Sequence, residues 1–184
     1  MPILLKIDDR TMRRFVNKMP KAGKRSVARS LNKAITQTRT RAAREISAKR
    51  NILISRAKKD MRIQRASPAR PVAAIHASGK PIPVIAVKGV KRQTKRGVTA
   101  KIEAKKKPHL FKGAFIATMP SGHKGVFKRE GRARLHIIEQ VLPSVASTMV
   151  QSATEKRLRK YAIPVYEKEL IRLLNLEMKK AGAR

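Results

Sequence analysis

The stretch GAFIATMPSGHKGVFKREGRARLHIIEQ, residues 113–140, decides the fold because short apolar runs alternate in it with turn-forming residues. GAFIATM, KGVFKR and RLHIIEQV have the apolar and β-branched content of strands. SGHKG, residues 121–125, lies between the first two runs. We expect a hairpin turn there, with Gly122 and Gly125 permitting the bend and Phe115 and Phe127 anchoring the flanking strands.

Positive charge dominates the composition. The 184 residues include 46 Lys and Arg against 11 Asp and Glu, a formal net charge of +35. Such a chain repels itself unless a counter-charge is near. Nucleic acid is the first polyanion to consider, an acidic protein surface the second and an anionic membrane the third.

Other features of the composition exclude several classes of protein. The chain has no cysteine, which excludes a disulfide scaffold and a thiol nucleophile, and its scarce aromatic residues predict an aliphatic core. No run reaches 18 apolar residues, so we expect no membrane span and no membrane partner. The start of the chain, MPILLKIDD, lacks the pattern of a signal peptide.

The charge is unevenly distributed along the chain. Between Met61 and Arg129, Glu103 is the single acidic residue against seventeen basic ones, whereas Glu recurs from Glu130 onward. Two basic clusters stand out in this middle part, KGVKRQTKRG (88–97) and KKKP (105–108). The candidate residues for docking to an acidic partner or for facing DNA are Lys91, Arg92, Lys95, Arg96, Lys105, Lys106 and Lys107.

Helical spacing of apolar residues runs through the first 66 residues. Asp8 and Asp9 can cap a helix that begins near Arg10 and stops near Pro20. A longer helix is predicted from about 21 to 50, and a third from about 55 to 63. The longer helix has basic outer faces, which can face solvent, nucleic acid or an acidic partner. Its apolar stripe consists of Val27, Leu31, Ile35, Thr38, Ala42 and Ile46.

Strand patterns follow SPARP (67–71). Segments 71–79, 81–89 and 97–104 are predicted strands, and the basic loop 88–97 makes the last two a long hairpin with a basic tip. From Pro143 the pattern is helical again, as one helix interrupted at Pro164 or as two helices. Ser144 is the expected cap, and Glu169 with Arg172 is the expected ion pair. The predicted apolar stripe of this C-terminal helical region consists of Tyr166, Leu170, Leu173, Leu174 and Met178.

These patterns predict an α+β fold with basic N-terminal helices, a central antiparallel β-sheet carrying a long basic hairpin, and a C-terminal helix. We expect a single domain over 1–184. Its helical basic part is 1–66, its β-rich core is 67–142 with the hairpin at 81–104, and its C-terminal helical part is 143–184.

Catalytic and cofactor chemistry finds no support in the sequence. A phosphate loop needs GxxxxGK followed by Ser or Thr, and SGHKG lacks both the spacing and the hydroxyl. No two histidines share a ligand spacing, and no placed carboxylate pair or nucleophile–base pair is evident. We therefore expect no enzyme activity, no cofactor and no metal site. Phe111, Phe115 and Phe127 are expected in the core rather than as stacking platforms for bases.

Residues 113–149 resemble the hallmark segment of the phage minor tail protein Z family, the tail completion or neck proteins of long-tailed phages. That segment reads GAF, an apolar residue, A-x-M-x-SGHxGVF-x-R, a basic or glycine-bearing turn, and RLPI-x-E-x-x-GPSV. The chain departs from it at His136, where proline is usual, and at Leu142, where glycine is usual. The matching positions include Gly113, Ala114, Phe115, Ser121, Gly122, His123, Gly125, Val126, Phe127, Arg129, Arg134, Leu135, Ile137, Glu139, Pro143, Ser144 and Val145.

The resemblance implies a structural virion protein at the head-proximal end of the tail. Such a protein would form part of a homo-oligomeric ring, with six copies by analogy with the symmetry of the tail, that completes the tail and supports head–tail joining and DNA passage. The implied partners are neighbouring tail terminator, tail tube or head-closure proteins, together with genomic DNA held without sequence specificity. The implied location is the neck region of the virion, and the host cytoplasm during assembly.

A second hypothesis is a basic accessory protein that binds nucleic acid without sequence specificity. It predicts DNA binding by the isolated protein with a steep dependence on salt. Neutralising the candidate basic residues separates the two hypotheses. If the basic tip docks onto acidic neighbours, neutralising it should abolish tail joining while DNA binding barely changes.

Overall fold

A long basic helix, α1, is the first large element that the structure describes. The structure is a computed structural model that describes residues 3–4, 20–89, 92–131 and 136–182. Helix α1 spans Lys21–Arg50, as predicted. All six residues of its predicted apolar stripe are at most 4% exposed, so the 3.6-residue period identified the buried face correctly. The helix predicted between Arg10 and Pro20 lies outside the described residues.

The described elements confirm an α+β fold with antiparallel strands. The further helices are α2 (Ile54–Lys59), α3 (Val145–Val150) and α4 (Ser152–Gly182). The strands are β1 (Ile3–Leu4), β2 (Met61–Gln64), β3 (Ala74–Ala77), β4 (Ile82–Pro83), β5 (Arg92–Thr94), β6 (Gly97–Ala100), β7 (His109–Lys112), β8 (Ala114–Thr118), β9 (Lys124–Arg129), β10 (Ile137–Glu139) and β11 (Val141–Leu142).

The described strands form four small sheets rather than one central sheet. Their orders are β1–β3–β2, β10–β9–β8, β11–β4 and β5–β6–β7. Proline contributes to this fragmentation because it lacks the N–H that a strand ladder uses. After Pro83 the chain turns into a short 3₁₀ helix, Val84–Ala86, instead of continuing the predicted strand.

The helix predicted over 55–63 is wrong in its second half. Helix α2 ends at Lys59, and β2 begins at Met61 and pairs with β3. Met61 is completely buried, and Ile63 pairs with Ile75 across the two strands. Long-range strand pairing therefore overrides the local helical pattern at this point.

The hairpin with a basic tip is present and shorter than the predicted 81–104. β4 pairs with β11 instead of β6, while β5 and β6 form the hairpin. Asn51, the residue after α1, closes the base of this segment. Its side-chain amide donates hydrogen bonds to the carbonyl oxygens of Lys88 (3.1 Å) and Lys101 (2.6 Å). Asn51 has a φ of 50°, the left-handed conformation that asparagine tolerates at a helix end.

Two compact units emerge from the described contacts. Of the described residues, the first comprises 3–4, 20–42, 61–77 and 149–182, and the second comprises 43–60, 78–89, 92–131 and 136–148. The single domain inferred from the sequence stays a prediction.

The C-terminal region forms two helices whose break is not at Pro164. The backbone N–H of Ser147 donates to the Ser144 hydroxyl at 3.1 Å, so Ser144 caps α3 as predicted. Pro164 lies inside α4 and is exposed, and the helix continues past it.

The predicted apolar stripe of α4 divides between two faces. Tyr166 and Leu173 are buried, at 7% and 9% exposed, whereas Met178 is 65% exposed. Leu170 and Leu174 are half-buried. The prediction of a single apolar stripe is wrong because α4 carries enough apolar residues to form a second face that points outward.

A buried glutamate joins α4 to α1 in the first unit. Glu169 is 8% exposed and accepts hydrogen bonds from Lys33 Nζ (2.6 Å) and from Arg172 Nη2 (2.7 Å) and Nε (3.0 Å). The hydrogen bonds from Arg172, followed by the one from Lys33, lower the pKa of this carboxyl to about 2. The predicted pair of Glu169 with Arg172 is thus confirmed, and Lys33 is a third member that sequence spacing did not reveal.

Replacing Glu169 with Gln should destabilise the protein by about 1 kcal/mol at pH 7, a modest amount because both cationic partners are half-exposed and screened. A carboxyl with a lowered folded-state pKa stabilises above its unfolded pKa, and that contribution is lost as the pH falls toward the folded value. The stability difference between wild type and Glu169→Gln should therefore shrink as the pH falls from about 4.5 to about 2. Urea denaturation followed by circular dichroism at several pH values measures it.

The exposed pair Glu155–Arg159, also on α4, supplies the matched control. Glu155→Gln should change the free energy of unfolding little at any pH. A Glu169→Gln variant as stable as wild type at pH 7 would contradict the role assigned to this ion cluster.

Candidate assembly surfaces

The SGHKG segment ends a tight hairpin between β8 and β9. The backbone N–H of Gly122 donates to the Met119 carbonyl at 2.8 Å, and the N–H of Met119 donates to the His123 carbonyl at 2.8 Å. Pro120 follows Met119 in the turn, and Gly122 has a φ of 79°. Proline supplies a preset φ early in the turn, and glycine readily adopts the left-handed conformation that closes the turn. The predicted hairpin at this place is confirmed.

Gly125 has a different role from the predicted one. It lies inside β9, opposite Ala117, and its φ is not positive, so the bend does not require it. A Cβ at this position would lie 2.8 Å from Phe127 Cζ and 2.8 Å from Glu139 Oε1. Glycine is needed here because the Phe127 ring packs over the strand. Gly113, just before β8, is a glycine of the segment that does need its left-handed φ, at 69°.

One face of the sheet β10–β9–β8 carries a row of aromatic and charged groups. Phe115 and Phe127 are direct cross-strand partners with ring centres 6.3 Å apart. The guanidinium carbon of Arg129 lies 5.4 Å from the centre of the Phe115 ring, a cation–π contact. Phe127 is buried at 6% exposure, while Phe115 is half-buried and Arg129 is exposed. The row therefore holds the three strands together and leaves part of its surface accessible.

His123 completes the row at the turn. Its Nε2 lies 3.0 Å from Glu139 Oε1, and its ring meets the Phe127 ring edge-on at 6.2 Å. Glu139 is sixteen residues away in sequence, and the pairing of β10 with β9 places it beside Phe127. His136 is exposed and has a φ of 67°, a conformation closed to the proline that the hallmark segment usually carries there.

The candidate basic residues separate to opposite ends of the sheet β5–β6–β7. Lys95 and Arg96 form the exposed turn between β5 and β6. Lys112 pairs with Gly97 and therefore lies at the same end, although no sequence pattern linked it to this turn. We call Lys95, Arg96 and Lys112 the basic tip.

The other candidates lie away from the basic tip. Arg92 pairs with Thr99 toward the far end of the sheet. Residues 105–107 are exposed in the connection that joins the far ends of β6 and β7, where Lys106 pairs with Glu103 at 3.1 Å. The two ends of β6, Gly97 and Ala100, are three residue steps apart, about 10 Å along the strand. Lys91 lies outside the described residues.

An exposed apolar row runs along the outer face of α4. Ile163, Ile171 and Met178 are 47%, 60% and 65% exposed, and half-buried Leu170 and Leu174 share their side of the helix by its 3.6-residue period. We call these five residues the α4 apolar row. The segment 161–178 that carries it has three glutamates against one lysine and one arginine. The chain has a net charge of +35, so a second copy can approach this nearly neutral segment without strong repulsion.

The described part of the chain holds neither a cluster of potential metal ligands nor a helix that could span a membrane. No three His, Asp or Glu side chains within it come together as metal ligands. None of its helices has the length and apolar character to cross a membrane.

Replacing Gly125 with Ala should cost about 1–3 kcal/mol of stability, because the added methyl group must displace the Phe127 ring and the Glu139 carboxylate. Thermal unfolding followed by circular dichroism measures the loss. Gly131→Ala is the matched control, because a Cβ there meets nothing within 4 Å and the φ is not positive. Equal stability of the two variants would show that Phe127 does not require the glycine.

Comparison with known proteins identifies the family of this chain. A family model described as prophage minor tail protein Z matches residues 10–181, which include α1, all of the strands from β2 onward and nearly the whole of α4. No curated protein and no solved structure matches the chain significantly. The chain belongs to the prophage minor tail protein Z family and is a structural protein of a phage tail.

Proposed function

We propose that this protein forms part of a homo-oligomeric ring, of six copies, in the neck region at the head-proximal end of the tail. The ring completes the tail and supports head–tail joining and DNA passage. Its neighbours are tail terminator, tail tube or head-closure proteins, and it assembles in the host cytoplasm. Membership of the minor tail protein Z family supports the tail location.

The α4 apolar row is the observation that carries the proposal of self-association. Exposed large apolar side chains clustered along one helix face are typical of protein–protein interfaces, whereas single ones are ordinary. The segment bearing the row has nearly balanced charge, so copies of this basic chain can meet there. Burying the row between copies would remove Ile171 and Met178 from water.

The basic tip has the properties of a docking element for an acidic neighbour. Its turn residues Lys95 and Arg96 are exposed, and Asn51 holds the base of the hairpin segment. A rigid base reduces the conformational entropy lost when the tip binds. The tip therefore suits an acidic surface on an adjacent tail or head-closure protein.

Replacing both Ile171 and Met178 with Glu should shift the protein from oligomer to monomer while leaving the fold intact, because both side chains are mostly exposed and Glu favours helix. Light scattering and native mass spectrometry measure the assembly state, and western blotting of purified particles measures incorporation. Leu53→Glu is the control, since Leu53 is 56% exposed and lies outside the row. A wild-type monomer that is absent from purified particles would refute the ring.

Neutralising the basic tip as Lys95→Gln, Arg96→Gln and Lys112→Gln should reduce the joining of heads to tails in a complementation assay. The matched control replaces Lys105, Lys106 and Lys107 with Gln, which removes the same charge at the far end of the sheet. Particle assembly with the control should match wild type. Equal loss with both triple variants would indicate a requirement for charge in general and would contradict a docking role for the tip.

A further inference from the structure

Two segments of the first unit are free of acidic residues. Residues 20–42 and 61–77 contain ten Lys and Arg and no Asp or Glu. Six of the ten are exposed arginines. One of them, Arg41, lies over the Tyr161 ring, and the other five are Arg25, Arg29, Arg62, Arg65 and Arg70. No ion pair joins any of these five to another residue in the described ranges 3–4, 20–89, 92–131 and 136–182.

A side-chain latch attaches the segment after β2 to α1. Asn32 donates a hydrogen bond from Nδ2 to the Ala66 carbonyl (2.9 Å), and its Oδ1 accepts one from the Ala66 N–H (2.8 Å). Arg65 is therefore held beside α1 at the level of Asn32. By the period of the helix, Arg25 and Arg29 lie on the same side of α1 as Asn32, and Arg25 and Arg29 are separated by about 6 Å of rise.

The segment beyond the latch is also ordered by hydrogen bonds. The N–H of Arg70 donates to the Ser67 carbonyl (3.1 Å) and to the Ser67 hydroxyl (3.0 Å), and the N–H of Ser67 donates to the Arg70 carbonyl (3.0 Å). This closed turn fixes the backbone that carries Arg70. Arg65 and Arg70 are thus exposed side chains on a constrained backbone rather than on a loose loop.

Helix α4 borders the opposite side of the α1 surface. Lys33 binds Glu169, and the Arg41 guanidinium carbon lies 5.7 Å from the centre of the Tyr161 ring. Between this border and the latch, α1 exposes a strip that contains Arg25, Arg29 and Thr36. The Thr36 hydroxyl donates to the Asn32 carbonyl at 2.7 Å, so the strip offers mainly guanidinium groups to a partner.

The composition of this surface favours DNA over a protein. None of the large apolar side chains that the structure exposes lies in 20–42 or 61–77. Protein interfaces usually have an apolar core, whereas protein–DNA interfaces are polar and strongly positive. A guanidinium binds a phosphate through two parallel N–H donors, which explains the use of arginine. The side chain of Asn32, a residue type that can read adenine, is committed to Ala66, so this amide is not offered to a base and the exposed guanidinium groups remain as the groups that can bind phosphates.

We propose that the exposed strip of α1, together with the latched segment 65–70, binds the phosphate backbone of double-stranded DNA without sequence specificity. The inference deepens the DNA-passage part of the proposed function and rests on it for the presence of DNA. It assigns DNA contact to Arg25, Arg29, Arg65 and Arg70, which differ from the residues of the basic tip.

Fluorescence anisotropy of the full-length protein with a labelled 30-base-pair duplex of mixed sequence, across a range of salt concentrations, tests this assignment. Replacing Arg25, Arg29, Arg65 and Arg70 with Gln should weaken binding at least tenfold at 150 mM salt. It should also lower the slope of log K against log salt by up to about 3.6, because each phosphate contact contributes about 0.9. Replacing the same four residues with Lys should preserve most of the slope and recover part of the affinity, and it controls for folding.

The matched control replaces Lys101, Lys105, Lys106 and Lys107 with Gln, which removes the same charge from exposed positions of the second unit. Its slope should stay close to that of wild type. Equal losses in both Gln variants, or no loss in either, would overturn the assignment. Poly-L-glutamate tests the alternative of an acidic protein partner. It should bind at least tenfold more weakly than the duplex, and equal affinity with the same arginine dependence would overturn the proposal.

Assaying purified particles separates this inference from the proposed function. Normal DNA binding by a protein that is absent from particles would refute the neck location and leave the DNA surface standing. If the protein is incorporated into particles but its arginine variant binds DNA as wild type does, the DNA surface is refuted and the proposed function stands.

Discussion

Repulsion between like charges is the constraint on which the structure depends. With a net charge of +35, packing between basic helices is favoured where acidic side chains compensate basic ones. In the first unit Glu169 does so, because it accepts hydrogen bonds from both Lys33 on α1 and Arg172 on α4. The lowered pKa of Glu169 is the electrostatic signature of this compensation. Cations that packing does not need are displayed on the surface, where partners can neutralise them.

The exposed side chains form three surfaces with different surroundings. The basic tip stands on a hairpin segment closed by Asn51, which suits insertion against an acidic protein. The α1 strip is flanked by latched arginines and lacks exposed apolar groups, which suits a phosphate backbone. The α4 apolar row lies on a nearly neutral segment, which suits contact between copies. The three surfaces together fit a protein that contacts copies of itself, its neighbours and DNA.

The hallmark segment of the family serves architecture in this chain. Gly122 closes the turn, Gly125 makes room for Phe127, and Glu139 returns from β10 to meet His123. Turn chemistry is local, so the hairpin and Gly122 were predictable from the sequence. Packing of Phe127 over Gly125 was not, because a glycine needed for space has the same sequence signature as one needed for its φ.

The sequence by itself determined the bounds and buried face of α1, the α+β class, the turn at SGHKG, the excess of positive charge and the family. Each of these depends on periodicity, turn residues or a run of adjacent residues, which are properties of neighbours in the chain. Tertiary structure alone decided that β4 pairs with β11, that Lys112 joins the basic tip and that Asn32 holds Ala66. It also separated the candidate lysines to opposite ends of a sheet. These contacts join residues far apart in sequence, and local patterns cannot specify them because their partners are chosen by packing and strand register.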